Sequence, residues 1–145
     1  MFRHILLPTD GSPLSEAAMR KGIEFAKAIN ARVTGFCVVP ALPYVGCEAE
    51  IGTEFKKQAV AAIQAEVAKN LLAVIHAAKE AGVPCETSQV KSDQPYEAII
   101  EAAAKKKCDL IIMASHGRRG VQGLLLGSET QKVLTHSKIP VLVYR

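Results

Sequence analysis

The chain contains no tryptophan, three tyrosines and four phenylalanines, so aromatic residues make up only 5% of its 145 positions. That scarcity leaves no platform of rings on which the bases of a single strand could stack. An excess of charge is missing as well. Eighteen Lys and Arg against 14 Asp and Glu give a formal charge of +4, which is mild for this length and does not call for a nucleic-acid partner. The one basic run, Lys105-Lys106-Lys107, closes a helical pattern, where cations complement the negative end of the helix dipole and project into water.

The four cysteines, at 37, 47, 85 and 108, include no CxxC pair, and the four histidines, at 4, 76, 116 and 136, are scattered. Neither set has the short ligand spacing of a zinc site, so reduced, structural thiols and no bound structural metal are expected. The opening MFRHILLPTD reaches a carboxylate too soon to build a signal peptide or a membrane span, which predicts a cytoplasmic protein without a membrane partner.

Two familiar phosphate loops are also missing. No GxxxxGK[ST] occurs, and the glycines at 117, 120, 123 and 127 recur at intervals of three, three and four, which is not GxGxxG. A P-loop ATPase and a dinucleotide-dependent dehydrogenase are therefore excluded. An ATP-pyrophosphatase would carry an SGGxDS-like loop after the first strand, where this chain has Pro8-Thr9-Asp10-Gly11-Ser12.

What the chain does have is a regular alternation. Apolar, β-rich runs at about 4–9, 32–39, 85–90, 109–114 and 140–144 alternate with Ala-rich helical stretches at about 13–30, 53–81, 95–107 and 127–137. Strands separated by helices cross over to lie parallel, and runs such as LIIM and PVLVY are apolar on both faces, as a sheet between two helical layers requires. The expected fold is one α/β domain over residues 1–145: a doubly wound, five-stranded parallel sheet with helices on both faces. Ser12-Pro13 opens the first helix and Gly82 closes the second. The segment 40–52, with Pro43 and two glycines, has no period and reads as a mobile loop.

The most informative stretch is CDLIIMASHGRRGVQGLLLGSET, residues 108–130. An apolar strand empties into a glycine-rich loop and then into a Gly-Ser helix start. Glycines admit an anion close to backbone N–H groups, and a helix N-terminus adds partial positive charge. In an open parallel sheet ligands gather outside the carboxyl ends of the strands, where the winding direction switches. The HILLPTDGS turn at residues 4–12 would bring Asp10 to the same crevice.

Other roles stay open for these residues. Asp10 either anchors a ligand or serves its own turn and caps the first helix, and Ser128 either contacts phosphate or caps the last helix. Ser115 and His116 are neighbours on an extended segment and are expected on opposite faces, which argues against a nucleophile pair. Of Arg118 and Arg119, the first follows Gly117 directly and is the better phosphate partner.

With the PTDGS turn and the five-strand alternation, this loop resembles the nucleotide motif of the universal stress protein family, and the resemblance runs from Phe2 to Arg145. The family pattern is Gly, two residues, Gly, nine residues, then Gly-Ser or Gly-Thr. Here it reads Ala114-Ser-His-Gly117, nine residues, Gly127-Ser128. Ala114 replaces the first glycine, and whether its methyl is tolerated depends on the local φ.

The resemblance implies an adenine-nucleotide site. Pro8, Thr9 and Asp10 would border the adenosine, with Val38 in backbone contact beside the base. Met113 and Ala114 would line the ribose, and Gly117, Arg118, Gly127, Ser128, Glu129 and Thr130 would surround the phosphates of ATP, with Mg²⁺ held by those phosphates. It implies a cytosolic stress-response protein that acts as a nucleotide-dependent regulatory or interaction module with at most slow hydrolysis. It also implies a homodimer through residues 139–145, whose strand ends the chain as a self-complementary edge. The alternative is a dimeric interaction protein without significant nucleotide affinity. Gly127→Val is expected to abolish ATP binding in a folded protein.

Overall fold

A computed structural model describes residues 1–42, 52–118, 120 and 125–145. Nine elements follow one another: β1 (His4–Pro8), α1 (Pro13–Ala28), β2 (Arg32–Val39), α2 (Thr53–Ala81), β3 (Cys85–Lys91), α3 (Pro95–Lys105), β4 (Leu110–Ala114), α4 (Ser128–His136) and β5 (Val141–Tyr144). Each lies within two residues of its sequence-based range. The sheet order is β3-β2-β1-β4-β5, and every pair is parallel. Winding therefore reverses between β1 and β4.

The pleat distributes the core. Ile5 is in register with Val33 on one side and Leu110 on the other, and this row packs with Met19 and Ile23 of α1 and Val74 of α2. Leu6, one residue on, pairs with Ile111 and faces the opposite layer, where Ala98, Ile99 and Ala103 of α3 and Val133 of α4 cover it. Burial on both faces explains the uninterrupted apolar runs of β1 and β4. The two edge strands differ from that pattern: β3 has no fully buried residue, and β5, expected to be covered on both faces, leaves Leu142 41% exposed.

Local chemistry sets the helix ends. Ser12 caps α1 by accepting the Ser15 N–H at 3.3 Å, and Pro13 occupies the first turn. Gly82 ends α2 at φ +73°, a conformation that suits glycine. Helix α2 is the one helix among the described residues long and apolar enough to cross a bilayer. It docks on the sheet through Val67, Val74, Ala77 and Ala78. Cys37, Cys85 and Cys108 are free thiols, and Cys37 and Cys108 are buried. The segment read as a mobile loop falls largely on residues 43–51, outside the described residues, as do Arg119 and Gly123.

Candidate functional site

The carboxyl ends of β1 and β4 lie side by side at the winding reversal, and the site is built from the turns that leave them. After β1, Thr9 N–H still donates to the Phe36 carbonyl of β2 at 2.9 Å. Alternation along a parallel strand turns the backbone groups of Val38, two residues on, to the same edge, just past the end of β1. Thr9 and Ser15 join hydroxyls at 2.8 Å, and Ser15 Oγ accepts the Asp10 N–H at 3.1 Å.

Asp10 forms the expected turn and also reaches beyond it. Oδ1 accepts the Ser12 N–H at 2.9 Å, while Oδ2 accepts the Arg118 N–H at 3.0 Å across 108 residues of chain. Capping of α1 falls to Ser12 rather than to Asp10. Burial raises the Asp10 pKa, but the bonds from Ser12 and Arg118 and the Arg118 charge outweigh it and hold the carboxyl below its ordinary value. Gly11 turns the chain at φ +77°, with the Asn70 side chain of α2 directly over its α-carbon. Burial, with Asp10 nearby, pushes the Cys37 thiol up to about 12, and Cys37 Sγ donates to the Thr9 carbonyl at 3.2 Å.

On the β4 side, Ser115 N–H donates to the Tyr144 carbonyl at 2.7 Å, and Gly127 N–H returns to the Ser115 carbonyl at 2.7 Å. The loop thus closes on itself and delivers α4 to the crevice. Gly127 is the N-cap of α4, so Ser128 is its first helical residue, and the helix has no side-chain cap. Its first N–H groups have no side-chain partner from the N-cap, and Ser128 is exposed. A Cβ on Gly117 would collide with Asp10 Oδ2. One on Gly127 would press at 3.3 Å on both the Ser115 oxygen and His116 Cα, so this glycine is fitted against protein backbone.

Ala114 ends β4, is buried, and is not among the positive-φ residues, so its methyl brings no backbone strain. Thr130 is buried in the first turn of α4 and donates to the Ala114 carbonyl at 3.0 Å. Three side chains go elsewhere than the crevice. Met113 packs in the α3/α4 core. Val38 lies at the edge of that same core. Glu129 accepts the Tyr96 N–H at 2.9 Å at the start of α3, which leaves its carboxylate serving a neighbouring helix rather than the loop. The Ser115 hydroxyl and His116 Nδ1, expected to point apart, meet at 3.3 Å because the strand has already ended at Ala114.

A cleft of about 460 Å³ opens between Gly11–Leu14 and His116–Arg118, and a smaller one of about 120 Å³ lies between Thr9, Gly11 and α2. Among the described residues no group of three or more His, Cys, Asp or Glu side chains is placed to hold a metal ion. Two participants carried no local sequence signal: Asn70, and Glu66, which pairs with the Arg118 guanidinium at 2.5 Å. Ser15 was legible only as the third residue after a helix cap.

A profile of the Universal stress protein family matches residues 1–145. A universal stress protein of Methanocaldococcus jannaschii is 35% identical over 145 residues, covering all of this chain and 83% of that protein. One from Thermus aquaticus is 36% identical over 145 residues and covers both chains completely. Among solved structures, that of a universal stress protein in complex with cAMP is similar with a TM-score of 0.73 at 27% identity, covering 99% of this chain and 97% of the other.

Proposed function

Because the chain belongs to the universal stress protein family, we propose that it binds an adenine nucleotide, ATP, at the carboxyl ends of β1 and β4. In this reading it acts as a nucleotide-dependent regulatory module of the cytoplasmic stress response. The observation that carries it is the N-terminus of α4, which starts at Gly127-Ser128 without a side-chain cap and is tied by the Gly127 N–H to the Ser115 carbonyl just past the end of β4. Such a helix end offers several N–H donors and a favourable dipole to phosphate. The solved relative bound to cAMP supports the adenine class of ligand.

Each group then has a physical task. The base lies against the backbone edge of Val38, with Pro8, Thr9 and Asp10 around the adenosine. Asp10, held as a carboxylate, accepts hydrogen bonds from ribose hydroxyls. The N–H groups around Gly117 and Gly127, the Ser128 hydroxyl and the Arg118 guanidinium take the phosphates. Met113, Glu129 and Thr130 act indirectly, by fixing β4, α3 and α4 around the crevice. Mg²⁺ is carried by the phosphates, which supply hard oxygen ligands where the described residues form no metal-binding cluster. The donors bind rather than activate water, so hydrolysis is slow at most.

The functional unit in this reading is a homodimer paired through residues 139–145, where β5 is a sheet edge with Leu142 exposed. A second reading keeps the dimer without the nucleotide. It is favoured by Arg118, whose backbone N–H and guanidinium each already donate to a carboxylate.

Calorimetric titration with MgATP separates the two, after the denatured protein has been checked for released adenine compounds. A dissociation constant in the micromolar range, about −8 kcal/mol, supports the nucleotide reading. No heat at millimolar ATP and no released adenine compound leaves the interaction module.

A further inference from the structure

Arg118 offers an anion two groups, its backbone N–H and its guanidinium, and the protein's own carboxylates hold both. The N–H donates to Asp10 Oδ2 at 3.0 Å. The guanidinium is paired with Glu66 Oε1 of α2. The loop after β4 is thereby tied both to the end of β1 and to the middle of a 29-residue helix.

The position of Glu66 along α2 gives the tie its meaning. All of the buried residues of this helix, Val67, Val74, Ala77 and Ala78, lie after it. Before it, every residue from Thr53 to Gln58 is exposed, and the apolar Phe55 and Val60 are 64% and 44% exposed. Among the described residues the first half is anchored by Ile63 against Val39 and Val67, by a Gln64–Gln89 hydrogen bond of 3.3 Å, and by the Glu66–Arg118 pair.

We propose that Glu66 and bound phosphate compete for Arg118, so that filling the loop releases the first half of α2; this rests on the nucleotide reading above. Glu66 Oε1 holds Arg118 Nη2, and a phosphate drawn to that nitrogen would meet the like charge of the carboxylate. Glu66 and Arg118 side chains are 43% and 53% exposed, so water screens their attraction and a multiply charged phosphate can displace the carboxylate. By linkage, the factor by which Glu66 weakens phosphate binding equals the factor by which phosphate weakens the hold on α2.

The test titrates ATP with Mg²⁺ into the wild type, Glu66→Gln, Arg118→Ala and the double variant. Glu66→Gln removes the charge at an exposed position without shortening the side chain. It is expected to bind ATP about two- to fivefold more tightly, and the same substitution in the Arg118→Ala background is expected to change nothing. Amide exchange over residues 59–66 is expected to speed up when the wild type is saturated with ATP, and to be fast already in ligand-free Glu66→Gln.

An affinity for Glu66→Gln equal to or weaker than wild type overturns the proposal. So does the same gain without Arg118, which would be a long-range charge effect, and so does unchanged exchange in α2. Absence of ATP binding in the wild type and every variant overturns the nucleotide reading and this proposal together. A measurable but unchanged affinity overturns the proposal alone.

Discussion

The hydroxyl of Thr130, in the first turn of α4, donates to the carbonyl of Ala114, the last residue of β4, at 3.0 Å, and both residues are buried. This bond sets the height of the α4 N-terminus above the sheet. Thr130→Val keeps the shape and removes the donor, leaving a buried carbonyl with one partner fewer. The expected loss is about 1–2 kcal/mol in urea unfolding, with Thr130→Ser retaining most of the stability. Equal midpoints for the Thr and Val forms would remove this bond from the account.

Ser128 and Gly127 separate ligand contact from fold. Ser128→Ala removes an exposed hydroxyl that caps nothing, so its urea midpoint should match wild type while ATP affinity falls about tenfold, as for a hydrogen bond to a charged group. For Gly127→Val the structure changes the sequence-based expectation of a fold-neutral block. A Cβ there presses on Ser115 and His116, so stability and ATP affinity are expected to fall together. Calorimetry beside urea unfolding on both variants checks this.

His4 predicts a pH dependence. Its Nε2–H donates to Thr34 Oγ1 at 2.7 Å, because the Thr34 proton goes on to Glu86 at 3.1 Å. That leaves Nδ1 buried, with no partner in hydrogen-bonding geometry among the described residues, as a neutral ring permits. Burial, then the Arg32 charge, lowers the His4 pKa from 6.5, against the opposing pull of Glu86, of Asp109 and of the Lys106 backbone. The unfolded chain therefore binds more protons as pH falls through about 6.5 toward the lower folded value, and stability is lost there. The urea midpoint should drop between about pH 7.5 and 5.5, and drop less in His4→Gln. Parallel profiles would remove His4 as the cause.

The β5 edge predicts assembly. Leu142 is exposed on a strand with one free side in the sheet, and Leu142→Lys places charge where two such edges would meet. Sedimentation velocity should show a dimer for the wild type and a monomer for the variant. A monomeric wild type, or a variant that stays dimeric, would refute pairing through residues 139–145.

Much of the fold was legible because its causes are local or periodic. Ser12-Pro13 and Gly82 mark helix ends through backbone chemistry contained in two or three residues. The runs ILL and LIIM are apolar throughout because a parallel sheet buries both of their faces. Side-chain meetings were far less legible. Glu129, adjacent to the motif serine, was grouped with the phosphate loop, yet it reaches the Tyr96 N–H on another helix. Ser115 and His116 were placed on opposite faces by strand alternation, which stops at Ala114.

The sequence by itself determined the βα alternation, the parallel doubly wound sheet and the glycine-rich loop between β4 and α4, since each is written in periodicity, in caps or in residues that admit close backbone approach. Only the tertiary structure decided that Asp10 closes on the Arg118 N–H, that Glu66 holds the guanidinium of the same residue, and that His4, Thr34 and Glu86 form one chain across three strands. Those contacts span 30 to 108 residues. They depend on strand register and on where a helix sits on the sheet, and both are fixed by the packing of the whole core rather than by any stretch of the chain.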